Sequence, residues 1–312
     1  MGRLRERADA EPGAQHHAQR LVCEAAVPVG GPPPPPPRGH RRGGLPLRAR
    51  SNHVRTPPLS VNVELLFREA GDDLGERIRA AADHGITAVE IWSHSDKDLD
   101  SIHKALEATG SSLHTLLVEG RLTLADVSTH ERFLEHVRAA AETAVRLGCS
   151  RIVTGSGVGL PYMKRAVQHG IVVDALRAGA EIAAEHGVTI LLENLNTRVD
   201  HPGTLFDTTA ECLAAVREVG SPGLALLYDV YHSLQMGEAP EQELAGALDL
   251  VSHVQIADVP GRGEPGTGTV DWRRQLSALR QLGYPGPIGL EYMPTMETAA
   301  GLRVVEDIVR AL

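Results

Sequence analysis

Cysteine is scarce in this chain. Three occur, Cys23, Cys149 and Cys212, and none stands in a C-x-x-C spacing. An odd number cannot all pair, so a disulfide scaffold and a structural zinc site of the cysteine type are both excluded. A reducing compartment fits this usage, and a cytoplasmic location is expected. Long apolar runs are missing too: no stretch of 18 apolar residues exists, which excludes a membrane-spanning helix. Basic residues are the minority, with 31 Lys and Arg against 40 Asp and Glu for a net charge of −9. A general nucleic-acid binder needs a basic face to neutralise phosphates, so neither a nucleic acid nor a membrane is expected as a partner. What is present, 312 residues at 42% hydrophobic content, suffices for one large domain or two small ones.

The composition divides the chain. Residues 1–57 carry 7 Gly, 10 Pro, 10 Arg and no Lys against 4 acids. Too few large apolar groups are available there to offset the entropy of ordering, so a disordered extension is expected. The segment lacks the apolar centre of a secretory signal and, with its acids and little Ser, differs from a transit peptide. Residues 58–312 hold the remaining 21 basic and 36 acidic residues and are expected to form the catalytic domain.

From Leu59 onward, short runs rich in Val, Ile and Leu alternate with longer segments of helical period. The runs are Leu59–Phe67, Thr87–Trp92, Ser112–Val118, Arg151–Thr154, Val188–Leu192, Leu224–Tyr228, His253–Ala257 and Ile288–Leu290. Segments such as Leu74–His84, Glu131–Leu147, Val173–His186 and Trp272–Leu282 are apolar at i, i+3 and i+4, and Glu297–Leu312 supplies an eighth helix. Thr208-x-x-Glu211 fits a capping box, and Gly85, Gly148, Gly187 and Gly283 stand where glycines close helices. Eight strand–helix units in about 255 residues match a TIM barrel of the α/β class, (β/α)8. Continuous apolar strands fit a parallel sheet covered by helices.

Barrel enzymes place their sites at the C-terminal ends of strands. Along the second half that position yields Glu193 after strand five, Asp229 after strand six, Gln255 on strand seven and Glu291 after strand eight, at separations of 36, 26 and 36 residues. Carboxylates crowded at one mouth repel by several kcal/mol per pair at about 4 Å, and a divalent cation removes that penalty. An oxygen-rich donor set suits Mg²⁺ or Mn²⁺. Taken singly, each acid could equally be a loop residue or a helix cap. If Gln255 points inward then so does His253, one layer deeper, as a core or supporting residue. His232 follows Asp229 by three residues and can reach over the cation as a hydrogen-bond donor; His201 is a weaker candidate.

A Gly-rich loop, Asp258–Trp272, follows strand seven. Its Gly261–Gly266 satisfies G-x-G-x-x-G in letter, but Pro265 and the residues after it delay the next helix to about Asp271. A dinucleotide site needs the helix to begin within the motif. The loop is better explained as carrying Arg262 over the site, where a guanidinium binds carboxylates in bidentate fashion. Gly155-Ser-Gly157-Val-Gly159 after strand four is expected to let backbone approach a ligand.

These stretches carry a resemblance. Glu193-Asn-Leu-Asn-Thr-Arg-Val-Asp-His-Pro-Gly203, Leu227-Tyr-Asp229-Val-Tyr-His232 and His253-Val-Gln255-Ile-Ala-Asp258-Val-Pro-Gly-Arg262, with the closing Gly289-Leu-Glu291-Tyr, resemble the hydroxypyruvate isomerase branch of the xylose isomerase-like TIM barrels. That superfamily includes the ketose 3-epimerases and endonuclease IV. The resemblance implies that Glu193, Asp229, Gln255 and Glu291 are metal ligands and that His232 and Arg262 contact substrate. It departs after strand three, where Leu116-Leu-Val-Glu-Gly120-Arg-Leu-Thr stands in place of the family's longer Gly-Asp and Gly-Glu-Arg-Gly loop.

The chemistry so implied is proton transfer beside a carbonyl, with Glu193 and Glu291 as the proton-transfer pair and a small keto acid or sugar as substrate. Hydroxypyruvate would become tartronate semialdehyde. The alternatives are a ketose 3-epimerase or 2-oxo-tetronate isomerase and, from another class, a non-catalytic sugar-binding barrel. A homo-oligomer is compatible with all of them.

Overall fold

The structure, a computed structural model, describes residues 57–312. The expected N-terminal extension, apart from Pro57, lies outside the described residues. Eight parallel strands pair in chain order and β8 returns to β1, closing a barrel. They are β1 (Leu59–Asn62), β2 (Ala88–Glu90), β3 (Ser112–Leu117), β4 (Arg151–Thr154), β5 (Thr189–Glu193), β6 (Leu224–Asp229), β7 (Val251–Ile256) and β8 (Ile288–Leu290). The connections carry α1 (Leu74–Asp83), α2 (Leu99–Thr109), α3 (His130–Arg146), α4 (Arg165–Glu185), α5 (Thr209–Val219), α6 (Val230–Met236), α7 (Pro240–Glu243), α8 (Trp272–Leu282) and α9 (Thr298–Arg310). The (β/α)8 barrel expected from the alternation is what the chain forms.

Local chemistry sets the boundaries. Thr208 caps α5 through Oγ1, which accepts from the Glu211 amide at 3.3 Å. Behind α3 and α4 the chain reverses at Gly148 and Gly187, with φ of 68° and 70°, where a side chain would be strained. Helix faces such as Ile78, Val137, Ala180 and Leu213 bury against the outward residues of the strands, Val61, Val89, Ile152 and Ile190 among them. Each large apolar side chain so buried contributes about 1.5–3 kcal/mol. Among the described residues no helix is long and apolar enough to cross a membrane.

Two segments differ from the pattern read in the sequence. The first apolar run is extended only as far as Asn62. The amides of Leu65 and Leu66 turn back to the Asn62 carbonyl at 3.1 and 2.9 Å, and Phe67 takes a left-handed φ of 59°. Hydrophobicity there reports burial, not extension. Helix α4 begins at Arg165, ahead of the expected Val173; its first two turns, with Ala166, Val167 and Ile171 among polar residues, carry no regular apolar period that would mark them as helix.

Inside the barrel the two halves are unlike. Val153, Leu191 and Leu227 form a small apolar cluster backed by Leu117 and Ala225. Across from it, β1, β2, β7 and β8 contribute Ser60, Glu90, His253 and Gln255, all buried, and Gly289. Polar side chains rise to the C-terminal mouth from this floor.

Candidate active site

Residues two apart on a strand share a face, so the inward positions that place Leu191, Leu227 and Gly289 also aim Glu193, Asp229 and Glu291 into the mouth. Asp229 is also the helix cap that a lone acid would be: its Oδ1 accepts from the Tyr231 and His232 amides at 2.8 and 3.3 Å and so starts α6. Its other oxygen, Oδ2, lies 3.6 Å from His232 Nε2, and Glu193 Oε1 lies 3.5 Å from the same nitrogen. Candidate ligand atoms of Glu193, Asp229 and His232 all fall within 4.8 Å of one another.

The two glutamates differ in their surroundings. Glu291 Oε1 accepts from Trp92 Nε1 at 2.7 Å and from Asn62 Nδ2 at 3.2 Å, and its Oε2 accepts from Arg262 Nη2 at 2.7 Å. The Glu193 carboxylate, 12% exposed, faces Nε2 of His232 without such bonds. Burial, with Glu291 and Asp229 adding their charge, pushes Glu193 well above the usual carboxylate range. Burial also raises Asp229 to about 7, against the opposing pull of Arg262. Glu291 is raised by burial as well, with Arg262 and Trp92 opposing.

Arg262 is held by the loop that precedes α8. Asp258 accepts from the amides of Val259 and Gly266 at 2.8 and 2.6 Å, and buried Glu264 accepts from the Thr295 amide and hydroxyl at 2.8 and 2.9 Å. Between these anchors Arg262 adopts a φ of 55°, in the left-handed region. Its guanidinium carbon lies 5.0 Å over the Tyr231 ring, Nη1 is 3.7 Å from Asp200, and Nε is buried without a partner. Burial alone would favour the neutral form, but Glu291, Asp229, Glu193 and Asp200 keep it charged. The helix after Gly266 begins only at Trp272, capped by Asp271, so the loop has no helix start at which to bind a pyrophosphate.

The proton on His232 is assigned by its neighbours. Asn196 Oδ1 accepts from the amides of Val199 and Asp200 at 2.8 and 3.1 Å, which fixes the orientation of the Asn196 side chain. Its Nδ2 therefore faces His232 Nδ1 at 2.6 Å, and the Asn196 backbone amide approaches the same atom at 3.4 Å. Nδ1 is an acceptor, so Nε2 carries the hydrogen and points at Glu193 and Asp229. Burial, Arg262 and His201 push the His232 pKa well below its usual value, keeping the ring neutral. In this tautomer His232 presents an N–H, not a lone pair, to the mouth. His201 packs edge-on against it, ring centroids 5.3 Å apart.

The residues fit a divalent cation. Three carboxylates converge with a single guanidinium, and Glu193 and Asp229 Oδ2 keep lone pairs free of strong donors. Glu193, Asp229 and Glu291 could hold Mg²⁺ or Mn²⁺ together with the Gln255 carbonyl oxygen. Gln255 sits level with Asp229 in the β6–β7 register and donates Nε2 to Glu90 at 2.7 Å. His253 lies one layer deeper and contacts Glu90 at 2.8 Å.

Several site residues escaped the sequence analysis. Asn62 and Glu90 end β1 and β2, and the rule applied to strands five to eight would have found both. Asp200, which binds Asn196 Nδ2 at 2.6 Å and the Tyr231 hydroxyl at 2.8 Å, has no such positional signal. Of the glycines after β4, one meets the chain's own backbone. Gly157, at φ 74°, presses its α-carbon against the Leu122 carbonyl of the chain's own loop, where a Cβ would collide.

The family described as xylose isomerase-like TIM barrel matches residues 78–308. Hydroxypyruvate isomerase of Escherichia coli K12 is 31% identical over 252 residues, covering 78% of this chain and 96% of that protein. The 2-oxo-tetronate isomerase of Cupriavidus necator is 30% identical over 253 residues, covering 79% and 96%. Among solved structures, AP endonuclease, family 2, from Brucella melitensis superposes with a TM-score of 0.73 at 29% identity, covering 80% of this chain and 98% of that one. With the closed barrel, these matches show that the chain belongs to the xylose isomerase-like TIM barrel family.

Proposed function

We propose that the protein is an isomerase that interconverts a small 2-keto acid with its aldehyde isomer, most like hydroxypyruvate with tartronate semialdehyde, and that it depends on Mg²⁺ or Mn²⁺. The isomerase class rests on the relatives named above. The keto-acid substrate rests on Arg262: a guanidinium, 14% exposed, kept charged in a mouth of carboxylates. A substrate carboxylate gives that cation a purpose, whereas a free ketose brings only hydroxyls.

The roles follow from the surroundings of each residue. Glu193, Asp229, Gln255 and Glu291 would hold the cation, which when bound polarises a carbonyl and offsets the negative charge of a cis-enediolate. Glu193 and Glu291 come from β5 and β8 and flank the substrate from two sides. One carboxylate removes a proton from the hydroxymethyl carbon, and a proton returns to the neighbouring carbon; the hydroxyl hydrogen passes from one oxygen to the other, so the product is an isomer. His232 Nε2–H donates to the oxygen that gains charge. Arg262 binds the substrate carboxylate, sharing its guanidinium with Glu291.

An assay panel of hydroxypyruvate, 2-oxo-tetronates and neutral ketoses with Mn²⁺ tests this. Arg262→Leu is expected to raise KM for the acids at least ~10-fold, the loss of one charge-assisted pair, and to leave any neutral-ketose activity little changed. Preference of the unmodified enzyme for neutral ketoses overturns the keto-acid assignment in favour of an epimerase.

A further inference from the structure

Beneath the carboxylates lies a buried acid to which the mechanism gives no task. Glu90, 1% exposed, ends β2 and is saturated by side chains from three other strands. Ser60 Oγ and His253 Nε2 meet its Oε1 at 2.5 and 2.8 Å, and Gln255 Nε2 and Thr115 Oγ1 meet its Oε2 at 2.7 and 3.3 Å. The facing strand makes room for it: a Cβ on Gly289 would lie 2.5 Å from Glu90 Oε1 and 2.8 Å from His253 Nε2.

An amide's oxygen and nitrogen ends are nearly alike in shape, so the way a glutamine faces is decided by what its two ends meet. With Ser60, Thr115 and His253 already meeting its two oxygens, Glu90 offers Gln255 an acceptor. Beside Glu90, Gln255 must turn Nε2 toward the acid and its carbonyl oxygen away from it. Were the partner a group that could also donate, the reverse orientation would be equally available, and an NH2 group repels a cation. We propose that Glu90 is a positioning residue for the cation site, orienting the Gln255 amide so that its carbonyl oxygen is the atom offered to the ion. This rests on the cation site proposed above. It assigns the polar half of the barrel interior a role in ion binding, beyond plugging the barrel.

A double-mutant cycle separates the two roles. Mn²⁺ alone is titrated by calorimetry into the full chain, Glu90→Gln, Gln255→Ala and the double variant, with the metal-free melting temperature recorded for each. Glutamine at position 90 keeps size and can either donate or accept. Glu90→Gln is expected to weaken Mn²⁺ affinity about 10-fold, as supporting contacts to metal ligands do, and to change it less than about 2-fold once Gln255 is already Ala. Ser60→Ala, which removes a different bond to Glu90, is expected to bind Mn²⁺ like the unmodified chain. Should Glu90→Gln melt too low to titrate, Glu90→Asp takes its place in the same cycle, keeping the charge and withdrawing it by one methylene. Equal losses in both backgrounds, or no loss at all, overturn the role of Glu90 while the cation site stands. Absence of Mn²⁺ binding to the unmodified chain overturns the cation site itself, and this inference with it.

Discussion

Replacing Glu193 or Glu291 by Gln is expected to abolish turnover, by about 10³-fold or more in kcat, with the barrel still folded. Each change removes a proton-transfer group, worth roughly 10²–10⁴ on its own, and a charged oxygen from the proposed cation site. The fold should not suffer at Glu193, whose carboxylate is buried at the mouth beside two like charges. Its neutralisation relieves repulsion, so the metal-free melting temperature should hold or rise. Glu291→Gln is expected to be somewhat less well tolerated, because its Oε2 is paired with Arg262 at 2.7 Å and that cation would lose its partner. Gln255→Ala removes only a neutral donor, and activity should recover in part at high Mn²⁺. Steady-state kinetics at saturating Mn²⁺, with circular dichroism as the check on folding, decides the matter. Equal and mild losses from Glu193, Asp229, Gln255 and Glu291 substitutions would sink the assignment.

Without added cation, the melting temperature of the unmodified chain should fall relative to that of Asp229→Asn as pH rises from 6.5 to 8. Asp229 has a folded pKa of about 7, above its ordinary 3.8, and Glu193 and Glu291 are displaced in the same direction. A carboxyl raised on folding binds more protons in the native state than in the unfolded chain. Its contribution is complete at low pH and is lost as pH climbs through the folded value. Asp229 alone accounts for about 1 kcal/mol over this window, or roughly 2–4 °C, and Glu193 adds to it. Buried His94, His114, His201 and His232 are displaced downward and act in the opposite sense, adding stability up to about pH 7.5, so the Asp229 effect is read as the difference between the unmodified chain and Asp229→Asn. Saturating Mn²⁺ should flatten the slope by taking the place of the protons. A melting temperature that does not fall relative to Asp229→Asn over this range without cation, or an unchanged slope with it, would contradict the electrostatics described for the mouth.

Much of the barrel was legible because its signals are local. A parallel strand covered on its outer face reads as a short apolar run, and the glycines behind α3 and α4 mark the reversals. Where local signals mislead, the cause is visible. Val63, Leu66 and Phe67 are as buried as any strand residue, yet they lie in a turn, and hydropathy cannot tell the two apart. Position along the strand also brings Glu193, Asp229 and Glu291 to notice, since a polar residue ending an apolar run is rare enough to stand out. Glu90 ends its strand in the same way and that rule reaches it, but the rule does not show that the acid is buried beneath the mouth. Its partners at positions 60, 115, 253 and 255 are scattered across the chain, so nothing near it in sequence marks a buried acid. The tautomer of His232 was likewise out of reach, because it depends on how Asn196 is turned by two backbone amides in another loop.

The double duty of Asp229 has a dynamic consequence. One oxygen faces the mouth while the other closes the first turn of the helix that carries His232. A carboxylate caps a helix start better than a carboxylic acid does, because the dipole there favours negative charge, and such a cap is worth about 0.5–2 kcal/mol. The charge state of the mouth is therefore transmitted to the fraying of a single helical turn. Amide hydrogen exchange at Tyr231 and His232 reports it residue by residue, as protection relative to the base-catalysed intrinsic rate that increases when Asp229 gives up its proton, with no substrate and no turnover needed.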